Sequence, residues 1–330
     1  ERPAEVLLRV VANEFATTSV TWKSLRLSAD ELLLLPDLAN PPKGHLYVMN
    51  ADGTDLRQLT KPIPSAEGLS HGSPDWSPNG DLIAFDAWSG RAETSHSFTI
   101  KSDGTGLKDL GVAAMPTFSP DGKRLAFTWV FNGQATMDLD GADRKVITPD
   151  GWGAQWSPDG KWIAYESRGR VDGRFASNVA IVDIQSKETQ ELLKGEQASR
   201  YSQIYWNMEW SPDSQQIVFK GRLTDGTFET CITSLDGSDK GFKVLTTDSV
   251  DTDFGWHPDG KSILMSKHSA AHSGKRLFVY DLSAGKFSLL ETQPMDQINT
   301  YGVWSPDGKQ ILFNSRRLPE PILWKPSQID

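Results

Sequence analysis

Two sets of side chains in this chain have the types and spacing to do chemistry. The first precedes five of the six copies of an aromatic-led turn motif. Five residues ahead stand His71, Tyr205, Asp251 and Asn299, three ahead stand Asn207, Asp253 and Tyr301, and Trp152 lies four ahead of its own copy. Carboxylates, amides, an imidazole and phenols that meet at one point would hold an ion or a small ligand, although a water-filled channel attracts the same residue types. The second set is Trp88, Arg91, Trp129, Arg168, Arg170, Arg174, Trp206, Arg316 and Arg317. Guanidinium groups pair with carboxylates through a two-pronged fork and large rings supply packing area, a combination found at protein interfaces and suited to sugar acids.

Other chemistries are poorly served. There is no His-Glu-x-x-His zinc helix and, with one cysteine, Cys231, neither an internal disulfide nor a cysteine metal cage. Neither a nucleophile elbow nor a phosphate-binding loop is expected. Asn50-x-Asp52-Gly53-x-Asp55 and Asp138-x-Asp140-Gly141-x-Asp143 look like calcium loops, but both fall where a hairpin turn is required and lack the distal Glu. A net charge of −9 argues against a surface that tracks nucleic acid, so no nucleic-acid partner is expected. No apolar run reaches the roughly 18 residues of a membrane span. From Glu1 onward there is no basic-then-apolar targeting segment, so any export signal is expected to have been removed already.

The elements that must position both sets come from a repeat. It reads Trp156-Ser157-Pro158-Asp159-Gly160-Lys161 and Trp304-Ser305-Pro306-Asp307-Gly308-Lys309, with near copies at Trp76, Phe118, Trp210 and Trp256. Pro presets the first corner of a hairpin turn, Asp tolerates the second, and Gly takes the positive φ that follows. Alternating strands leave the turn, as in Leu82 to Phe85 and Ile311 to Phe313, and a second hairpin with Asp52-Gly53, Asp103-Gly104, Asp140-Gly141 or Asp236-Gly237 follows. Four strands per unit at a period of roughly 38 to 54 residues predict an all-β propeller of four-stranded antiparallel blades.

Counting Leu27 to Leu35 as a degenerate copy gives repeats starting near 27, 76, 118, 156, 210, 256 and 304, hence seven blades. The alternative is six blades with an N-terminal extension. It is disfavoured because the hairpin Leu46 to Leu59 would then have no inner strands of its own. Residues 1–330 are read as one domain, with 1–26 as an N-terminal segment in which Glu5 to Val11 either supplies a ring-closing strand or forms a short amphipathic helix.

These residues and motifs resemble the TolB-like propellers built from PD40 repeats, a WD40-like group. The resemblance implies a bacterial protein, periplasmic or extracellular, that binds protein partners, in some members with an ion in the central channel; calcium is the candidate here. It also brings in an enzyme alternative, because oligogalacturonate lyases resemble this fold and bind a divalent metal through histidines. That chemistry needs a cation to acidify the proton beside a carboxylate and a base to remove it. His45, His71, His96, His268 and His272 would lie on one face for it, while Gln297 to Tyr301 carries no histidine. His257, replacing the turn serine, reads as structural. A third reading is a docking domain of a larger envelope protein.

Inner-to-outer strand order sends every Ser-Pro-Asp-Gly turn and every second-hairpin turn to one face, which collects aspartates. The links between blades and the middle connections emerge on the other. Variable loops on a rigid scaffold are where function usually sits. The expectation is a monomeric, non-catalytic propeller that takes a protein partner or an anionic or carbohydrate ligand on the variable face and at the channel mouth.

Overall fold

A computed structural model describes residues 33–36, 42–88, 94–171, 174–269, 274–317 and 321–324. They belong to two compact units, Lys43–Leu318 and the combination of Glu1–Pro42 with Pro319–Asp330. In the smaller unit Leu33–Pro36 pairs antiparallel with Pro321–Trp324, Leu33 opposite Trp324.

The larger unit is a propeller of six blades, not seven. The first blade runs Ser70–Trp76, Leu82–Trp88, His96–Lys101 and Lys108–Val112, inner to outer. The second runs Ala114–Phe118, Arg124–Trp129, Gly133–Asp138 and Lys145–Thr148, and the third Trp152–Trp156, Trp162–Val171, Arg174–Asp183 and Thr189–Glu191. In the fourth, the inner strand is split into Tyr201–Ile204 and Glu209–Trp210, followed by Gln216–Leu223, Phe228–Ser234 and Lys243–Thr246. The fifth runs Val250–Trp256, Ser262–His268, Lys275–Asp281 and Lys286–Leu289. A six-residue helix, Gly195–Arg200, precedes the fourth blade.

The sixth blade corrects the blade count. Its inner strands, Gln297–Trp304 and Gln310–Arg317, come from the end of the propeller unit, and its outer strands, His45–Asn50 and Arg57–Gln58, from the beginning. The hairpin that seemed to need its own inner strands borrows them across the whole chain: His45 lies opposite Ser315 and Asn50 opposite Gln310. Leu27 to Leu35 therefore starts no blade; its last three residues fall in the strand paired with Pro321–Trp324. Glu5 to Val11 lies outside the described residues.

Why the disc holds together follows from the apolar triplet after each turn. In Ile83-Ala84-Phe85 the first and third side chains pack with Leu46 and Val48 of the sixth blade, and Ala84 packs with Leu125 and Phe127 of the second. Alternation along a strand sends successive side chains to opposite faces of the blade, so one triplet serves two boundaries. Ile163-Ala164-Tyr165 and Ile311-Leu312-Phe313 repeat the arrangement.

The turns are equally regular. Ser157 Oγ donates to Asp159 Oδ1 at 2.7 Å and accepts from Trp162 N, while the same Asp oxygen accepts from Lys161 N. Ser119, Ser211 and Ser305 make the same set, and Asn79 replaces the Asp in the first blade. At the fifth turn His257 stands for Ser, reaching Asp259 through Nδ1 and setting its ring 4.7 Å from Trp304 of the next blade.

Candidate functional site

Each inner strand except the split fourth one carries a register shift just ahead of its turn motif. Ser73, Met115, Gly153 and Tyr301 sit there at φ of 44°, 55°, 82° and 53°. An extra residue in one strand flips the side chains before it to the other face. The residues three and one ahead of the motif consequently line a channel cavity of about 90 Å³, among them Asn207, Glu209, Asp253, Tyr301, Ser73 and Asp75.

The eight residues expected at the channel mouth separate accordingly. Asn207, Asp253 and Tyr301 border the cavity. His71, before the shift, is buried between blades, sharing a 2.7 Å hydrogen bond with Thr60 Oγ1 and lying 5.0 Å from the His45 ring. Asn299 is buried and donates to Gln293 Oε1 and Pro294 O. Asp251 pairs with Lys275 at 2.6 Å. Tyr205 packs on Trp206 and Phe228 under the Lys220 ammonium, and Trp152 belongs to a pocket described below.

The cavity is acidic in a constrained way. Burial pushes Asp75 up to about 7, although its carboxylate accepts Phe118 N at 2.6 Å. Glu209 is raised well above its ordinary value by burial and by the Asp75 charge. Burial also raises Asp86 and Asp253 to about 6, Asp251 adding to the second; they accept from Met115 N and Tyr301 N respectively. As a calcium site the lining offers three carboxylates, Asp75, Glu209 and Asp253, with the amides of Gln155 and Asn207, but Asp75 and Asp253 already accept the Phe118 and Tyr301 backbone N–H groups. Among the described residues no three His, Cys, Asp or Glu side chains are placed to hold a metal. His96 instead pairs with Asp109 at 3.0 Å, and His272 lies outside the described residues.

One slot escaped the sequence reading. The residue after the apolar triplet is polar in every blade: Asp86, Thr128, Glu166, Lys220, Ser266 and Asn314. Five of them tie their blade to the next. Asp86 accepts Met115 N, Thr128 Oγ1 accepts Gly153 N at 2.8 Å, Lys220 Nζ donates to Val250 O at 2.6 Å, and Asn314 Nδ2 donates to His71 O at 2.6 Å. Ser266 does so through Asp253. Recurrence in one repeat position was the available signal, one residue beyond the apolar pattern.

The variable face carries the second candidate site. Trp129, Phe131, Gly151, Trp152 and Arg168 line a pocket of about 250 Å³ between the second and third blades. Arg168 lies 5.7 Å over the Trp152 ring, and Trp88, 41% exposed, meets Trp152 at right angles, 6.1 Å between centroids. Arg144 covers Trp129 at 5.6 Å. Phe131, another aromatic of the variable loops, is held at φ 63° with 86% of its surface exposed. Of the remaining expected residues, Trp206 packs beside Gly153, where a Cβ would meet its carbonyl at 2.0 Å, and Arg316 and Arg317 end the Gln310–Arg317 strand. Arg170 and Arg174 fall on the paired ends of their two strands, and Arg91 lies outside the described residues. The structure thus joins Trp88, Trp129, Trp152 and Arg168 and leaves Trp206, Arg316 and Arg317 elsewhere.

Two stretches spell catalytic loops without forming them. Gly68-Leu69-Ser70-His71-Gly72 has the letters of a nucleophile elbow, but it leads into a strand rather than a helix, and Ser70 Oγ accepts from Gly44 N. Gly255 to Ser262 spells a phosphate loop, yet it is the fifth blade's turn and again runs into a strand.

Comparison with known proteins agrees with the propeller fold. A family model described as the TolB beta propeller domain, PD40, matches residues 39–268 and again 135–327. Dipeptidyl-peptidase 5 of Porphyromonas gingivalis is 27% identical over 272 residues, covering 76% of this chain and 37% of that protein; the chain spans little more than a third of that curated relative. Among solved structures, a putative TolB from Agrobacterium tumefaciens superposes with TM-score 0.60 at 20% identity, over 83% of this chain and 98% of that one. TolB from Acinetobacter baumannii gives 0.59 at 19% identity, over 88% and 64%.

Proposed function

Because the chain belongs to the TolB β-propeller family, we propose that it is a non-catalytic binding module, a rigid disc that captures a protein partner on its variable-loop face. The observation that carries this reading is the pocket of Trp129, Phe131, Trp152 and Arg168 with Trp88 at its edge. Large rings and arginine left in water, at a place where the chain holds a phenylalanine in the left-handed region, are what an interface anchor looks like before its partner arrives. Among the described residues the turn face shows no such pocket, and its aspartates are committed to capping their own loops, as Asp52 and Asp103 are with Thr54 and Thr105. We place the protein in the periplasm or outside the cell, acting as a monomer. No helix among the described residues is long and apolar enough to cross a membrane.

A photo-crosslinking residue at Phe131, compared with one at Lys161 on the turn face, tests the reading in the native organism. A discrete adduct is expected only from position 131 and should disappear when Arg168→Ala is added. Equal labelling from both faces would refute it. A second reading, that the propeller is one part of a longer envelope protein, is favoured by the 37% coverage of the peptidase relative. An immunoblot of the endogenous polypeptide decides it: a band near 36.5 kDa excludes the longer form.

A further inference from the structure

Glu166 occupies the slot that ties blades together, yet it ties nothing to the fourth blade. Ser177 does that work instead, its Oγ accepting Ile204 N at 2.6 Å. The Glu166 side chain is fully buried. Its Oε2 accepts from Arg168 Nε at 2.8 Å and lies 2.7 Å from Nη2, while Oε1 has no hydrogen-bond partner. A Thr or Asn at this position would satisfy the packing without burying an ion, as Thr128 and Asn314 do. A half-satisfied buried carboxylate costs stability, and its one evident effect is on Arg168. That arginine reaches from Glu166 into the aromatic pocket with 40% of its side chain exposed, and among the described residues Glu166 is its sole carboxylate partner by side-chain pairing.

Resting on the binding role proposed above for this face, we propose that the pocket seats a protein segment presenting a carboxylate beside an apolar side chain, the carboxylate replacing Glu166 as the counter-ion of Arg168. The apolar side chain packs against Phe131. A stacked sugar acid fits less well, because it needs an open aromatic face. Trp152 is covered by Arg168 and met by Trp88, and Trp129 is covered by Arg144. The most exposed ring is Phe131, a knob at a loop tip that suits a complementary protein surface.

The exchange has a proton attached to it. The charged groups facing Glu166 are Arg168 on its own strand and Asp150 from the preceding link, and the neutral Ser177 hydroxyl faces it from the neighbouring strand; burial pushes the carboxyl up to about 7, Asp150 adding to that rise while Arg168 and Ser177 oppose it. When Arg168 turns to an incoming carboxylate, Glu166 loses its cation and takes a proton from solvent. Capture therefore strengthens as pH falls from about 8 to about 7 and levels off below that, where the free protein already holds the proton.

The test uses an acetylated, amidated peptide, Gly-Leu-Asp-Leu-Gly, and its Asn counterpart, titrated calorimetrically into the intact protein in two buffers of different ionisation enthalpy. The Asp peptide is expected to bind roughly tenfold tighter than the Asn peptide, with net proton uptake. Glu166→Gln should abolish the uptake and tighten binding near pH 8, with its urea midpoint reported alongside to show that it folds. Arg168→Lys should erase the preference for Asp, since lysine lacks the fork. Equal affinity for the two peptides, binding without proton uptake, or no binding of either overturns this inference. An adduct from position 131 that persists in any of those cases leaves the binding role of the face standing, so the two failures are distinguishable.

Discussion

Replacing Asp75 with Asn should make the protein more stable in alkaline than in acidic buffer relative to the unaltered chain. Asp75 borders the channel cavity, and burial lifts its carboxyl from 3.8 to about 7. A carboxyl raised in the folded state holds its proton more tightly there than in the unfolded chain. Its contribution is thus most favourable below pH 4 and is lost as pH climbs through 7. Over that range the full difference corresponds to about 4 kcal/mol, of which about 2.6 kcal/mol falls between pH 5 and pH 8. The effective dielectric around buried charges in proteins lowers such a figure, so roughly 1 to 2 kcal/mol is the expected size. Asn keeps an oxygen for the Phe118 N–H and cannot ionise, which isolates the charge from the hydrogen bond. Urea unfolding followed by tryptophan fluorescence at pH 5, 6, 7 and 8, for both proteins, gives the difference curve. It should rise by that amount towards pH 8, equivalent to about 2 to 4 °C in Tm. A flat curve, or one falling with pH, would show that the channel does not hold this carboxyl neutral.

Other consequences are open to similar measurement. Asn314→Leu strands the buried His71 carbonyl and should cost about 1 to 3 kcal/mol in urea titrations. Gly133→Ala is expected to cost more than about 2 kcal/mol and to alter the pocket's tryptophan fluorescence. Its φ is 89°, and a Cβ would stand 2.1 Å from Thr148 O. Asp121, Asp213 and Asp307 are held below the ordinary carboxylate range chiefly by their turn serines, so the stability they lend is present above pH 4 and lost as pH falls below it. With the raised channel carboxyls acting in the opposite sense, thermal unfolding across pH 2 to 8 should peak on the acid side of neutrality, and a maximum above pH 7 would contradict the assignment.

The turns and blade strands were legible because their determinants are local. Ser-Pro-Asp-Gly fixes a hairpin within four residues, and the alternation of Ile83-Ala84-Phe85 shows at once which side chains share a face. The number of blades was not, because the pairing of His45–Asn50 with Gln310–Arg317 leaves no mark in either segment. Nothing local distinguishes a hairpin that owns its inner strands from one that borrows them. The channel lining was half legible for a related reason: simple alternation puts His71 and Asn299 on the same side as Ser73 and Tyr301, and the register shift between them reverses that. Trp88, Trp129, Trp152 and Arg168 could be assigned to one face from loop position, but their meeting depends on which blades adjoin. Glu166 lay hidden inside a strand, conspicuous only once all six blades are aligned and one of the six polar residues is seen to make no tie.

The borrowed strands of the sixth blade also impose an order on the chain's birth. Translation delivers His45–Asn50 about 260 residues before Gln310, whose side chain will eventually donate to Asn50. Throughout that interval the early hairpin has one bare backbone edge, and Leu46 and Val48 lack the Leu312 side of their cluster. Five blades can emerge from the ribosome and stack in sequence, but the circle cannot shut until its last strands are made. Completion is therefore a single event that waits for these strands, and any delay before Gln310–Arg317 is made prolongs the time in which a nascent molecule's open edge can find a neighbour instead of itself.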